Sequence, residues 1–216
     1  MSNMDASAGL PVWVERLGIR DVDSAVDVAE KSWSIIQEPA FAALKSWSDV
    51  TTASMVFSGF LVRAQGLHEG TISAVREDNP YAAFTLLRAL SENVAAVLYV
   101  IDNPKSLDKF WRERDTRGVA IGKITNHALR RMENFRTIYS QLSQYAHPHS
   151  GSLLAAFDIT EAGRLSWSST PTFRSESDKI YCCAWVCELA EAMSHLLREY
   201  AIKFGLTLTR SDETHS

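Results

Sequence analysis

Two groups of polar residues sit at spacings that bring side chains together on a helix. Arg88 and Glu92 lie four apart in Leu86-Leu-Arg-Ala-Leu-Ser-Glu-Asn. Positions i and i+4 share a helical face, so guanidinium and carboxylate would meet. Their neighbours are strongly apolar, and a charge there is costly unless it is paired and hydrogen-bonded. The pair reads in two ways: as an ion pair that fixes helix register, or as a cationic and acidic couple lining a cleft. The second group is Tyr139, Ser143 and His147, at i, i+4 and i+8, just before Pro148. These would form one polar stripe with Leu142 and Ala146 turned to the core. A histidine at the end of such a stripe is placed for proton transfer near neutral pH, or for capping the helix C-terminus.

Other chemistries fit less well. Ser143 as a nucleophile needs a base, an orienting third group and an oxyanion hole, and the spacing supplies only the base. His147 and His149 would need a carboxylate to bind metal, and none is near in sequence. Arg63-Ala-Gln-Gly-Leu-His68 matches Arg-x4-His, a short pattern that often arises by chance. Cys182, Cys183 and Cys187 are odd in number and crowd one predicted helix, which suits small core residues better than disulfides or a metal site. No glycine-rich nucleotide loop is present. No cofactor and no metal are expected.

The elements that must position these residues are helical. Asp23–Gln37 is expected as a first helix, capped by Asp23 or Ser24 and stopped by Pro39. Phe41–Trp47 continues as a short piece. Val50–Asp78 has helical periodicity, and Asn79-Pro80 breaks it. Tyr81–Asp102 is the most apolar segment, so it belongs at the centre. Lys109–Arg131 and Glu133–Ala146 follow as helices. The period then changes over residues 153–168, where Gly163 suits the turn of a β-hairpin. Asp178–Phe204 is a last long helix with Gly205 as its cap. The expectation is an all-α fold: a helical bundle of five to seven helices with a small hairpin insertion near 153–168. Residues 1–22 are a loose lead-in, 23–205 one domain, and 206–216 a flexible tail.

Composition agrees with a globular chain. The 216 residues include 10 Gly and 6 Pro, are 46% hydrophobic and 22% charged, and carry a net charge of −4. Collagen-like, disulfide-scaffold and disordered classes are excluded. The charge is uneven. Lys109–Arg136 carries a surplus of basic residues, which would either form a solvated face or hold phosphates beside the stripe. The first nine residues lack Lys, Arg and an apolar run, unlike a signal peptide. The longest uninterrupted apolar run, Val94–Ile101, is far short of the ~20 residues that span a bilayer. The expectation is a cytoplasmic protein without membrane contact.

The Arg88-x3-Glu92 helix, followed by Tyr139-x2-Leu-Ser143-x3-His147-Pro, resembles a family of bacterial all-helical proteins similar to the HEPN superfamily. The resemblance covers roughly residues 50–200. Members of that superfamily include toxin and antiphage ribonucleases that use an Arg-x4-6-His motif, often as dimers that join two motifs in one cleft. If His147 is that histidine, Leu142 stands at the usual arginine position and Ser143 at the usual asparagine. Arg88 would then have to supply the phosphate contact from a neighbouring helix. The Arg63/His68 match has the family spacing in a different helix, with Ala64 where a polar residue is common. The resemblance implies a homodimer, RNA as substrate, a cognate protein partner and metal-independent endoribonuclease activity in a toxin, defence or stress system. His147 would be the acid or base, Arg88 would hold phosphate, Glu92 would orient Arg88, and Tyr139 and Ser143 would complete the stripe. The alternative is a non-catalytic interaction module in which the same residues form a structural network.

Overall fold

The computed structural model describes residues 10–45, 49–111, 118–146, 157–159 and 165–206. The chain is all-α. Its helices are α1 (Val12–Arg16), α2 (Val22–Lys45), α3 (Thr52–Arg76), α4 (Pro80–Asp102), α5 (Leu107–Trp111), α6 (Ile121–Arg131), α7 (Phe135–Ala146) and α8 (Glu176–Lys203), with a 3-10 turn over Pro104–Ser106. Two short strands, β1 (Phe157–Ile159) and β2 (Leu165–Trp167), pair antiparallel with Phe157 opposite Trp167. The expected turn at Gly163 and the expected tail from residue 207 onward lie outside the described residues.

α4 is the axis. It packs against α3, α6, α7 and α8. Every residue from Asn93 to Ile101 is buried, as a helix covered on all sides requires. α4 and α8 are each long and apolar enough to cross a bilayer, contrary to the expectation from uninterrupted runs; 72% and 61% of their most apolar stretches are buried against other elements. Polar core groups tie helices to one another. Asn93 Nδ2 donates to the Phe60 carbonyl (3.0 Å), and the Tyr200 hydroxyl donates to the Ala53 carbonyl (3.0 Å).

Turn chemistry sets the corner between α3 and α4. Asp78 takes a left-handed conformation (φ 57°) after α3. The Asn79 N–H reaches the Ala74 carbonyl (2.8 Å) and the Asp78 N–H that of Val75 (3.1 Å), closing a Schellman motif. Asn79 then caps α4 through the Ala82 N–H (3.1 Å), with Pro80 at its first turn. The Asp78 carboxylate also pairs with Lys179 (2.8 Å) and so holds the corner to α8. Gly205 (φ 66°) ends α8 by the same motif, as expected: the Leu206 N–H bonds the Ala201 carbonyl at 2.8 Å.

Four expectations change. Pro39 does not stop the first helix; α2 runs through it to Lys45. Proline there removes one backbone bond, but Ile36, Ala40 and Ala43 are buried on both sides of it and α2 lies along α8. The cap of α2 is Asp21 rather than Asp23 or Ser24. Its carboxylate accepts from the Ser24 N–H (2.8 Å), while Ser24 Oγ accepts from the Asp21 N–H (3.0 Å). The expected helix over 109–131 is two pieces, α5 and α6, with residues 118–120 non-helical between them. The lead-in expected over 1–22 is docked from residue 10 onward. Val14 and Ile19 are buried there, while Val12 is 63% exposed.

Candidate functional site

Arg88 and Glu92 share one face of the middle of α4, as their spacing predicts, and that face meets Tyr139 of α7. Arg88 Nε lies 3.2 Å from Glu92 Oε1, and the two side chains are 20% and 21% exposed. Tyr139 of α7 completes the cluster. Its hydroxyl accepts from Arg88 Nη2 (3.0 Å) and donates to Glu92 Oε1 (2.9 Å). The guanidinium carbon lies 5.2 Å from the Tyr139 ring centroid, a cation–π distance. Phe135 stacks on the other part of this seam, its ring 5.6 Å from Tyr139 and nearly parallel to it. Leu142 is fully buried one turn on. α7 thus docks by two apolar anchors with a polar cluster between them. Burial pushes the Tyr139 phenol above its ordinary pKa. The Arg88 hydrogen bond pulls it back, and the Glu92 carboxylate adds to the rise.

Three of the five sequence-predicted site residues therefore meet. Ser143 takes another part: its hydroxyl donates to the Tyr139 carbonyl at 2.7 Å, a bond within its own helix. That proton is engaged one turn back along α7, and the hydroxyl belongs to the helix rather than to the Arg88 cluster. His147 and His149 lie outside the described residues. Leu142, which the resemblance would set at the arginine position, is a core residue.

The Arg63-x4-His68 match does not form a site. Five residues of helix turn the second side chain about 140° from the first. Arg63 is exposed and His68 is buried. His68 Nε2 lies 2.9 Å from Ser32 Oγ, whose own proton goes to the Ala29 carbonyl (2.7 Å). His68 Nε2 must then donate, so the ring is a neutral pin between α2 and α3. Burial lowers its pKa and keeps it neutral, with the Ala29 carbonyl opposing. The cysteines are free and buried, as expected. Burial pushes Cys183 to about 12 and Cys187 to about 11, which leaves them unreactive thiols.

A second polar cluster had no signature in the sequence. Asp102, the last residue of α4, accepts from His127 Nε2 (2.7 Å) and from Arg131 Nε (3.0 Å), both on α6. The His127 ring meets Tyr99 edge-on, and Lys123 Nζ lies 5.7 Å from the same Tyr99 ring. Burial raises the Asp102 pKa, but the bonds from His127 and Arg131 outweigh it and leave the carboxyl below its ordinary value. The i, i+4 spacing of His127 and Arg131 was available; their partner, on α4, was not. Part of the basic surplus of residues 109–136 is thus spent on docking α6. Among the described residues, no group of three or more His, Cys, Asp or Glu side chains is placed to hold a metal ion.

No protein-family model, curated protein or solved structure matches this chain.

Proposed function

We propose that this chain is a HEPN-like helical bundle, with the β1–β2 pair as a hairpin insertion, that acts in the cytoplasm by binding rather than by reaction at Arg88. In this reading Arg88, Tyr139 and Glu92 are the clasp that holds α7 and its surface against α4. The observation that carries it is the Tyr139 hydroxyl. It donates its proton to Glu92 and accepts from Arg88, so it bridges the ion pair across the α4–α7 seam and the cluster is neutral as a whole. A phosphate at Arg88 would have to compete with the nearby Glu92 carboxylate for the guanidinium. The direct test is thermal unfolding of Tyr139→Phe and Arg88→Ala beside an RNA-cleavage assay. The clasp reading expects both variants to melt early and neither wild type nor variant to cleave RNA.

The convergence of Arg88, Glu92 and Tyr139 favours a second reading. Here the protein is a metal-independent endoribonuclease of a toxin, defence or stress system, working as a homodimer. Its acid or base would be His147, eight residues beyond Tyr139 in sequence. It expects His147→Ala to abolish RNA cleavage while the melting temperature stays unchanged. A His147→Ala protein that cleaves at the wild-type rate ends this mechanism.

A further inference from the structure

A groove of about 510 Å³ lies between α1, α7 and α8. It shares no lining residue with the Arg88 cluster, so it stands apart from the readings above. Its volume falls in the range of small-molecule sites, which are mostly apolar with a few placed polar groups. Trp13 comes from α1, Ile138 and Gln141 from α7, and Tyr181, Trp185 and Glu188 from α8. Tyr181, Trp185 and Glu188 follow i, i+4 and i+7, so α8 offers them on one face. The three aromatic rings form a continuous row. Trp13 stacks on Tyr181 with centroids 6.3 Å apart, and Tyr181 on Trp185 at 6.2 Å.

The charges that line this wall have one sign. Glu188 lines the groove, and Glu191 follows at i+3 on the same helix. Behind the aromatic row, a water-sized void of about 20 Å³ is lined by Asp178, again with Tyr181 and Trp185. Arg174 stands near Asp178, but among the described residues no Lys or Arg lines either space. Among the same residues no ion pair engages Glu188. The negative faces of aromatic rings attract cations, and tryptophan does so most strongly. A row of three rings with one carboxylate, Glu188, and no cation among its described lining residues suits a positively charged ligand with an apolar body. It disfavours anions, including nucleotides.

We infer that this groove binds a small organic cation of the quaternary-ammonium type, seated on Trp13, Tyr181 and Trp185 and paired with Glu188. Both Trp13 and Glu188 reach solvent, so each can be changed without opening the core.

The experiment is a titration of the ¹⁵N-labelled full chain, followed at the indole N–H resonances of Trp13 and Trp185. The probes are choline and 3,3-dimethylbutan-1-ol, which share a shape and differ in charge. Saturable shifts are expected with choline, and binding of the neutral alcohol about tenfold weaker, within the range of one cation–π contact set. Glu188→Gln should weaken choline several-fold and leave the alcohol unchanged, whereas Trp13→Leu should weaken both probes and choline the more. Equal binding of the two probes overturns the proposal, since the groove would then be an apolar slot. So do indole resonances that stay still up to ~10 mM choline, beyond the weak end of specific affinity.

Discussion

Two helices dock on α4 by polar means, and they do it differently. At the α7 seam the charged residues both come from the middle of α4, and one tyrosine hydroxyl answers them. At the α6 seam α4 supplies a single carboxylate at its last residue, and α6 brings two N–H donors to it, one from His127 and one from Arg131. The first cluster lies between buried Phe135 and Leu142 and is about one-fifth exposed. The second stands at the end of α4, where Asp102 and His127 are as sheltered (22% and 17% exposed) but the Arg131 side chain is 57% exposed. A polar group in mid-helix, with neighbours packed on both sides, has to be satisfied inside the protein or carry its desolvation cost. At the helix end water shares the task. Asp102 also sits where the helix dipole disfavours an anion, and the Arg131 guanidinium offsets that. Position along one helix therefore decides how much each cluster contributes.

The largest effect tests the apolar frame around the first cluster. Leu142→Ala removes a fully buried anchor of α7 and should cost about 2–5 kcal/mol, measured by urea unfolding. A cost under ~1 kcal/mol would mean that the polar cluster, not the apolar anchors, holds α7.

Next comes the cluster itself. Arg88→Ala should cost about 1–3 kcal/mol, less than for a fully buried pair because the side chains keep some contact with water. A double-mutant cycle with Tyr139→Phe should show coupling of about 0.5 kcal/mol or more. Additive losses would separate arginine from tyrosine and dissolve the clasp. The tyrosine gives a pH signature as well. Its folded pKa is raised above the ordinary 10.0, so its stabilisation is complete below pH 10 and declines as pH rises past that value. Tyr139→Phe should flatten that alkaline decline.

The smallest effect belongs to the rim. Asp102→Asn should cost under ~1 kcal/mol at neutral pH, since the Arg131 arm is exposed and screened and the amide oxygen can still accept from His127. The Asp102 carboxyl is held below its ordinary 3.8, so its contribution is present above that value and is lost as pH falls through the folded pKa. The variant should show a shallower loss of stability as pH falls below about 4. An unchanged acid slope would show that His127 and Arg131 do not depend on this carboxylate.

The same contrast explains what sequence reading reaches. Arg88 and Glu92 were legible because one helix carries both at i, i+4, and the apolar stretch around them marked α4 as central. Tyr139 was legible as part of a stripe, yet its reach to Arg88 depends on how α7 lies on α4, which spacing does not encode. Ser143 shared the stripe and turned out to bond its own helix. Asp102 and His127 lie on different helices, so no local pattern joined them. Pro39 misled for a physical reason. Proline opposes a helix locally, while packing along α8 carries α2 past it.

The pairing of α2 with α8 has a consequence in time. α2 is complete about 130 residues before α8 begins. At roughly 5–20 residues per second, a ribosome needs some 7–26 s to deliver the partner. Through that interval Ala25, Ala29, Ile36 and Ala43 have no α8 to cover them, while α3 and α4, neighbours in sequence, can already pair across the Asp78 corner. A nascent chain stalled before Glu176 would hold an uncovered apolar stripe. That makes the interval before α8 emerges the stretch of synthesis in which a chaperone has most to bind.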